Sequence, residues 1–167
     1  MNKLSLWFRL LLAVCVFWGQ IAIASDPAWA AIDPYVTRYL KVTDPIPLEV
    51  NEQQQTRLFS AEELSEGKRL FLRNCINCHV GGTTIPNPIV SLSLDALHGA
   101  TPRRDTINGL VTYLRRPMTY DGSEETIWCR KVPESWLSQE QIENLAGFIL
   151  RAAQVAPGWA TETIQGE

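Results

Sequence analysis

Histidine and methionine are scarce in this chain, with two of each in 167 residues, and cysteine is limited to four. Two histidines cannot build a multi-histidine metal centre, so few residues are candidates for any metal site. Basic residues are not in excess either. Fifteen Lys and Arg stand against 18 Asp and Glu, a formal charge of −3 that argues against a nucleic-acid partner. Internal repeats and low-complexity tracts are absent, which excludes solenoid architectures. Neither paired carboxylates nor a nucleophile–base set is legible, so enzymatic turnover is not expected. The longest apolar run, Leu10 to Ile23, falls short of the roughly 20 residues that span a bilayer.

That run has a different reading. Lys3 and Arg9 make a short basic start before it, and small residues follow, as in an export signal. Ala22-Ile23-Ala24 and Ala28-Trp29-Ala30 are both cleavage candidates; the second leaves a mature start near Ala31. Residues 1–30 are therefore expected to be a removed signal peptide and residues 31–167 a single domain. A lipoprotein anchor at Cys15 fits poorly, because Val14 is bulky where such a site needs a small residue. Losing Lys3, Arg9 and Asp26 takes the charge to about −4. Export also removes Cys15 and leaves Cys75, Cys78 and Cys129, an odd number in an oxidising compartment.

From Tyr35 to Phe59 the pattern reads as extended. Val36, Tyr39 and Leu40 precede a Pro-rich corner at Asp44-Pro45-Ile46-Pro47, and Leu48 and Val50 lead to a second short strand around Thr56 to Phe59. A two-stranded N-terminal hairpin is expected. Ser60 with Glu63 forms a capping box, so a helix follows with Leu64, Gly67, Leu70 and Phe71 on one face, ending at Cys75. Gly81-Gly82 through Pro86 and Pro88 reads as loop. A shorter helix is expected from Asp105 or Thr106 to Arg115, stopped by Pro117. The last helix opens at Ser138, with Gln141 completing a second box. Its apolar face is Ile142, Leu145, Ala146, Ile149, Leu150 and Ala153, and Pro157-Gly158 closes it. Gly67 and Gly147 lie inside helices, where each costs about 1 kcal/mol relative to Ala. A close crossing of the first and last of these helices would offset that. Six cations, Arg103, Arg104, Arg115, Arg116, Arg130 and Lys131, cluster in the middle of the chain. They are either a solvated face or a docking patch.

Cys75-Ile76-Asn77-Cys78-His79 is the most specific motif. Two thiols at this spacing can each add across one haem vinyl group, and the adjacent imidazole then lies beneath the iron. C-x-x-C-H thus supplies two covalent tethers and one axial nitrogen, the pattern of a c-type haem. A thioredoxin-like pair would need a βαβ context, which is absent. A ligating histidine normally donates its second N–H to a carbonyl. Asn87-Pro88 is placed to present one. For the opposite face of the iron the mature candidates are His98, Met118 and Cys129. His98 is poorly placed, only nineteen residues beyond His79 and before the next helix. Met118 follows that helix directly. Cys129 stands beside Trp128, in a segment that the Thr119 to Glu125 loop can swing over the haem.

A wider set of residues resembles one family. Leu70-Phe71 through the motif to Gly81-Gly82, Asn87-Pro88, Ala100-Thr101-Pro102-Arg103-Arg104-Asp105, Gly109-Leu110-Val111, Thr119-Tyr120-Asp121-Gly122 and Leu145-Ala146-Gly147-Phe148-Ile149-Leu150 are similar to the photosystem II extrinsic cytochrome c-550 family of cyanobacteria. More narrowly they resemble its divergent c-550-like paralogue. The resemblance covers roughly residues 50–150. It implies an all-α class I cytochrome c fold with the hairpin appended, and one covalent haem c on Cys75 and Cys78. It also implies peripheral docking on photosystem II lumenal subunits in the thylakoid lumen, where the subunit helps protect the manganese cluster. The family carries a distal histidine shortly after its Tyr-Asp-Gly. Here none follows His98, and Cys129 falls seven residues after Gly122. The resemblance therefore favours His79 and Cys129 as axial ligands, with Met118 as the alternative.

A thiolate favours ferric iron, so a low-potential monohaem electron-transfer or haem-bearing subunit is expected. The alternatives are a docking subunit whose haem is structural and a haem-based small-ligand or redox sensor.

Overall fold

Ser60 and Ser138 each start a helix by the same device. In the computed structural model, the Glu63 amide donates to Ser60 Oγ at 3.3 Å and Glu63 Oε2 accepts from the Ser60 amide at 2.8 Å. Ser138 and Gln141 repeat the exchange at 3.2 and 2.9 Å. The structure describes residues 31–84 and 91–160. Residues 1–30, expected to be a signal peptide and including Cys15, and Asn87-Pro88 lie outside them. In chain order the described elements are α1 (Pro34–Arg38), β1 (Ile46–Glu49), β2 (Thr56–Phe59), α2 (Ala61–Asn74), α3 (Leu94–Gly99), α4 (Ile107–Arg115) and α5 (Gln139–Val155). A 3-10 turn spans Val80–Gly82. The architecture is mostly helical with one small antiparallel sheet, in which Ile46 faces Phe59 and Glu49 faces Thr56. No described helix is long and apolar enough to cross a membrane.

α2 crosses α5 with its backbone against α5. A Cβ on Gly67 would lie 2.0 Å from the Asn144 carbonyl oxygen, so only glycine permits this approach. Gly147 has a different role. It leaves room for the Phe59 ring and Leu64, which would lie 2.8 and 3.2 Å from a Cβ there. Between the helices, Leu64, Leu70 and Phe71 meet Ile142, Leu145, Ile149 and Leu150, all buried. Phe71, Phe148 and Trp159 close one end, with ring centroids 5.5 to 5.9 Å apart.

Two segments differ from the sequence reading. Residues 34–38 are helical, not extended. Asp33 caps the helix by accepting the Tyr35 amide at 2.8 Å, and Pro34 sits at N1, where its missing N–H and fixed φ suit a helix start. α3 was not anticipated. Only Leu97 in it is buried, so it shows no apolar periodicity, although Ser93 caps it by accepting the Ala96 amide at 3.2 Å.

The basic cluster also differs from a surface patch. Arg104 is 5% exposed and Arg115 is half-buried, donating to the Val132 and Leu137 carbonyls at 2.9 and 3.0 Å. Arg103 pairs with Asp105 through both carboxylate oxygens, at 3.1 and 2.6 Å. Burial alone would raise the Asp105 pKa. The hydrogen bonds from Arg103 and from His98 Nδ1, the latter at 2.8 Å, outweigh it and hold Asp105 below its ordinary value of 3.8. A depressed carboxylate contributes stability above its unfolded pKa and loses it as pH falls through the folded value. Stability is therefore expected to drop on acidification below about pH 4. Asp105→Asn should lower stability at pH 7 by about 1–2 kcal/mol and shrink the acid loss, read from urea midpoints across that range.

Candidate functional site

The α2 end runs directly into a tight turn. The Cys75 amide donates to Phe71 O at 2.8 Å as the helix C-cap, and the His79 amide donates to Cys75 O at 2.9 Å. Cys75, Cys78 and His79 thus project from a single turn. Beyond it the chain must reverse sharply, with Gly81 at φ 58° and Gly82 at φ 84°. Trp159 fills the place a Cβ on Gly82 would take, 2.6 Å away, and its Nε1 donates to Leu92 O at 2.9 Å. The Ala160 amide donates to Gly81 O at 2.6 Å. The chain after α5 therefore straps down the loop that follows His79.

His79 Nδ1 lies 3.3 Å from the Thr83 carbonyl and 3.1 Å from Thr84 Oγ1. A carbonyl only accepts, so Nδ1 carries the proton and Nε2 keeps a free lone pair. Burial lowers the His79 pKa, with the Thr83 carbonyl opposing, which favours the neutral ring, the form that ligates. Among the described residues the Thr83 carbonyl and the Thr84 hydroxyl are the groups at Nδ1; Asn87-Pro88 lies outside those residues.

Cys129 arrives from a loop pinned at its base. Val132 N donates to Leu114 O at 2.9 Å and Thr126 N to Pro117 O at 3.0 Å, with Met118 bridging Glu125. This places the half-buried Cys129 thiol within electrostatic reach of Cys75 and Cys78, distant in sequence. Burial, together with the two neighbouring thiols, pushes Cys75 up to about 12. Burial also raises Cys129, against a hydrogen bond from Tyr113 and the positive charge of Arg104. Met118 is half-buried and lines a groove of about 480 Å³ with Asn51, Arg103, Arg104, Thr112, Tyr113 and Arg116. His98 is exposed and spends Nδ1 on Asp105.

The donors fit a haem. Two thiols and a neutral imidazole leave one turn, and a third thiol approaches from a separate loop. Among the described residues, no group of three or more His, Cys, Asp and Glu is placed to hold a metal ion. Apolar side chains flank both donor segments without protein cover, notably Ile127 at 92% and Trp128 at 86% exposed. Sequence reasoning missed Tyr113 and the burial of Arg104. Tyr113 sits between Thr112 and Leu114 with no motif around it, and Arg104 reads as one more surface cation.

Comparison with known proteins adds four findings. The family model described as "Cytochrome c-550 domain" matches residues 39–166. A "Cytochrome c-550-like protein" of Trichodesmium erythraeum is 50% identical over 165 residues, covering 99% of both chains. A "Photosystem II extrinsic protein V" of Gloeobacter violaceus is 51% identical over 138 residues, 83% of this chain and 74% of that one. Among solved structures, the PsbV2 cytochrome of Thermosynechococcus elongatus superposes with a TM-score of 0.77 at 60% identity, covering 78% of this chain and 100% of that one.

Proposed function

Since the chain belongs to the cytochrome c-550 family and is a haem-binding electron-transfer cytochrome with one covalent haem c, we propose that it works at low potential as a subunit associated with photosystem II, on the lumenal side of the thylakoid membrane. Its haem is tethered by Cys75 and Cys78 and ligated by His79 and Cys129. The observation that carries this reading is the convergence of Cys129 on the Cys75–Cys78 turn. When bound, the haem supplies a one-electron couple. The protein's part is to hold the His79 ring with Nε2 free, to bring a second strong donor from the opposite loop, and to surround both with apolar side chains. Metal coordination deprotonates a thiol, and the resulting anionic donor favours ferric iron. With His79 and Cys129 both holding the haem, no position would be open to substrate, so we assign no enzymatic turnover. The relatives named photosystem II extrinsic protein V support the photosystem association.

Potentiometric titration of the purified protein, followed by ferric electron paramagnetic resonance, tests the ligand set. A low-spin thiolate signal is expected, with a midpoint well below that of histidine–methionine carriers. A midpoint in the range of those carriers rejects Cys129 and moves the assignment to Met118. Salt-sensitive rebinding to washed photosystem II particles tests the partner, and failure to rebind at low salt removes it.

A further inference from the structure

Trp159, four residues past the end of α5, turns back onto the domain. Its half-buried ring packs with its centroid 5.5 Å from that of Phe71 and 5.9 Å from that of Phe148. Phe71 is the residue whose carbonyl accepts the Cys75 and Ile76 amides, at 2.8 and 3.1 Å. The indole therefore rests on the α2 end that carries the C-x-x-C-H motif.

The same indole fastens the turn beyond the motif. Its Nε1 donates to Leu92 O at 2.9 Å, and the Leu92 amide donates to Gly82 O at 2.8 Å. Its ring lies where a Cβ on Gly82 would be, 2.6 Å away, and the Ala160 amide holds Gly81 O at 2.6 Å. Gly81 and Gly82 have wide conformational freedom, so the shape of this turn depends on what it is fastened to. The peptide that follows Gly82 faces the imidazole. Thr83 O lies 3.3 Å from His79 Nδ1, with Thr84 Oγ1 at 3.1 Å. Thr83 is itself held by its amide and its hydroxyl on Val80 O, at 3.1 and 2.6 Å. Only the Gly82–Thr83 link separates the fastened carbonyl from the one at the ring.

We propose that Trp159 is a positioning residue for His79: by clamping Gly82 and Leu92 it keeps the Thr83 carbonyl on the Nδ1–H and so sets how strongly the ring donates. This rests on the assignment of His79 as axial ligand. An imidazole whose second N–H is held on a carbonyl is a more basic donor, and a more basic donor favours ferric iron. Loosening the clamp weakens that hydrogen bond, and the ferrous state gains.

Trp159→Phe in the full-length, haem-loaded protein tests this, because it deletes the indole N–H and keeps a ring against Phe71 and Phe148. The His79 Nδ1–H proton resonance should exchange with D₂O about fivefold faster. The ferrous-to-ferric ratio at a fixed potential should rise about threefold, a midpoint higher by about 28 mV at about 59 mV per tenfold for one electron. Amide exchange in the α2–α5 core should stay at its wild-type rate; a residue that only packs would speed that exchange and leave the midpoint in place. Either the Nδ1–H exchange or the midpoint remaining at its wild-type value overturns the proposal. On wild-type protein alone, Trp159 Nε1–H and His79 Nδ1–H should be equally protected, since one opening exposes both. Protection of one without the other has the same force. The underlying ligand assignment fails separately: the wild-type ferric protein would then show no hyperfine-shifted ring protons from His79, whatever stands at position 159.

Discussion

Replacing Cys129 by serine is expected to abolish the thiolate low-spin ferric signature and raise the midpoint by on the order of 100 mV or more. At an effective dielectric of about 20, one unit charge about 4 Å away is worth about 4 kcal/mol. Only part of that acts differently on ferric and ferrous iron. Even half of it exceeds a tenfold change, and each tenfold is about 59 mV for one electron. The fold should survive, because Cys75, Cys78 and His79 still hold the haem, and the Cys129 loop is pinned independently by Val132 on Leu114 and Thr126 on Pro117. Met118→Leu is the control, and its spectrum should match the wild type. The reverse pattern, with Cys129→Ser silent and Met118→Leu altered, would make methionine the donor.

Gly67→Ala should destabilise the protein by about 3 kcal/mol. Helix propensity alone predicts the opposite, a gain of about 1 kcal/mol. The structure decides the sign. The added methyl carbon would meet the Asn144 carbonyl oxygen and carbon at 2.0 and 2.6 Å, and those are backbone atoms of α5 that cannot rotate away. The two helices have to separate, loosening Leu64 and Phe71 against Leu145 and Ile149. Gly147→Ala should cost less, because its obstacles are the Phe59 ring edge and a Leu64 methyl, which are side-chain atoms with room to adjust. Thermal unfolding should place Gly67→Ala on the order of 10 °C below the wild type, with Gly147→Ala between them. A Gly67→Ala variant as stable as the wild type would mean that α2 and α5 are not in backbone contact.

Local signals were read well. The Ser60–Glu63 and Ser138–Gln141 boxes, the Pro117 stop after α4 and the hairpin ending at Phe59 depend on residues within a few positions of each other. The close crossing at Gly67 was also anticipated, because an interior glycine needs a reason. Gly147 was expected to serve the same crossing and does so through side chains, leaving room for Leu64 of α2 and for the Phe59 ring. α1 was misread because Val36, Tyr39 and Leu40 alternate loosely enough to suggest a strand, while Asp33-Pro34 is a helix start that outweighs them. α3 escaped notice because it buries one side chain.

By itself, the sequence determined the covalent chemistry: two thiols and an imidazole within five residues, a spacing set by one backbone turn whatever surrounds it. It also restricted the opposite donor to three side chains, because so few soft atoms exist in the chain. Tertiary structure alone set their surroundings, bringing Cys129 within electrostatic reach of that turn, Met118 into a groove lined also by Arg104 and Tyr113, and His98 onto Asp105. It alone turned Arg104 from a surface cation into a buried one stacked on Tyr113, and supplied Thr83 to hold the His79 ring. The physical reason is common to all of these. Burial and facing depend on contacts between residues tens of positions apart, which no local pattern encodes, whereas caps, turns and tethering motifs are complete within a single turn of chain.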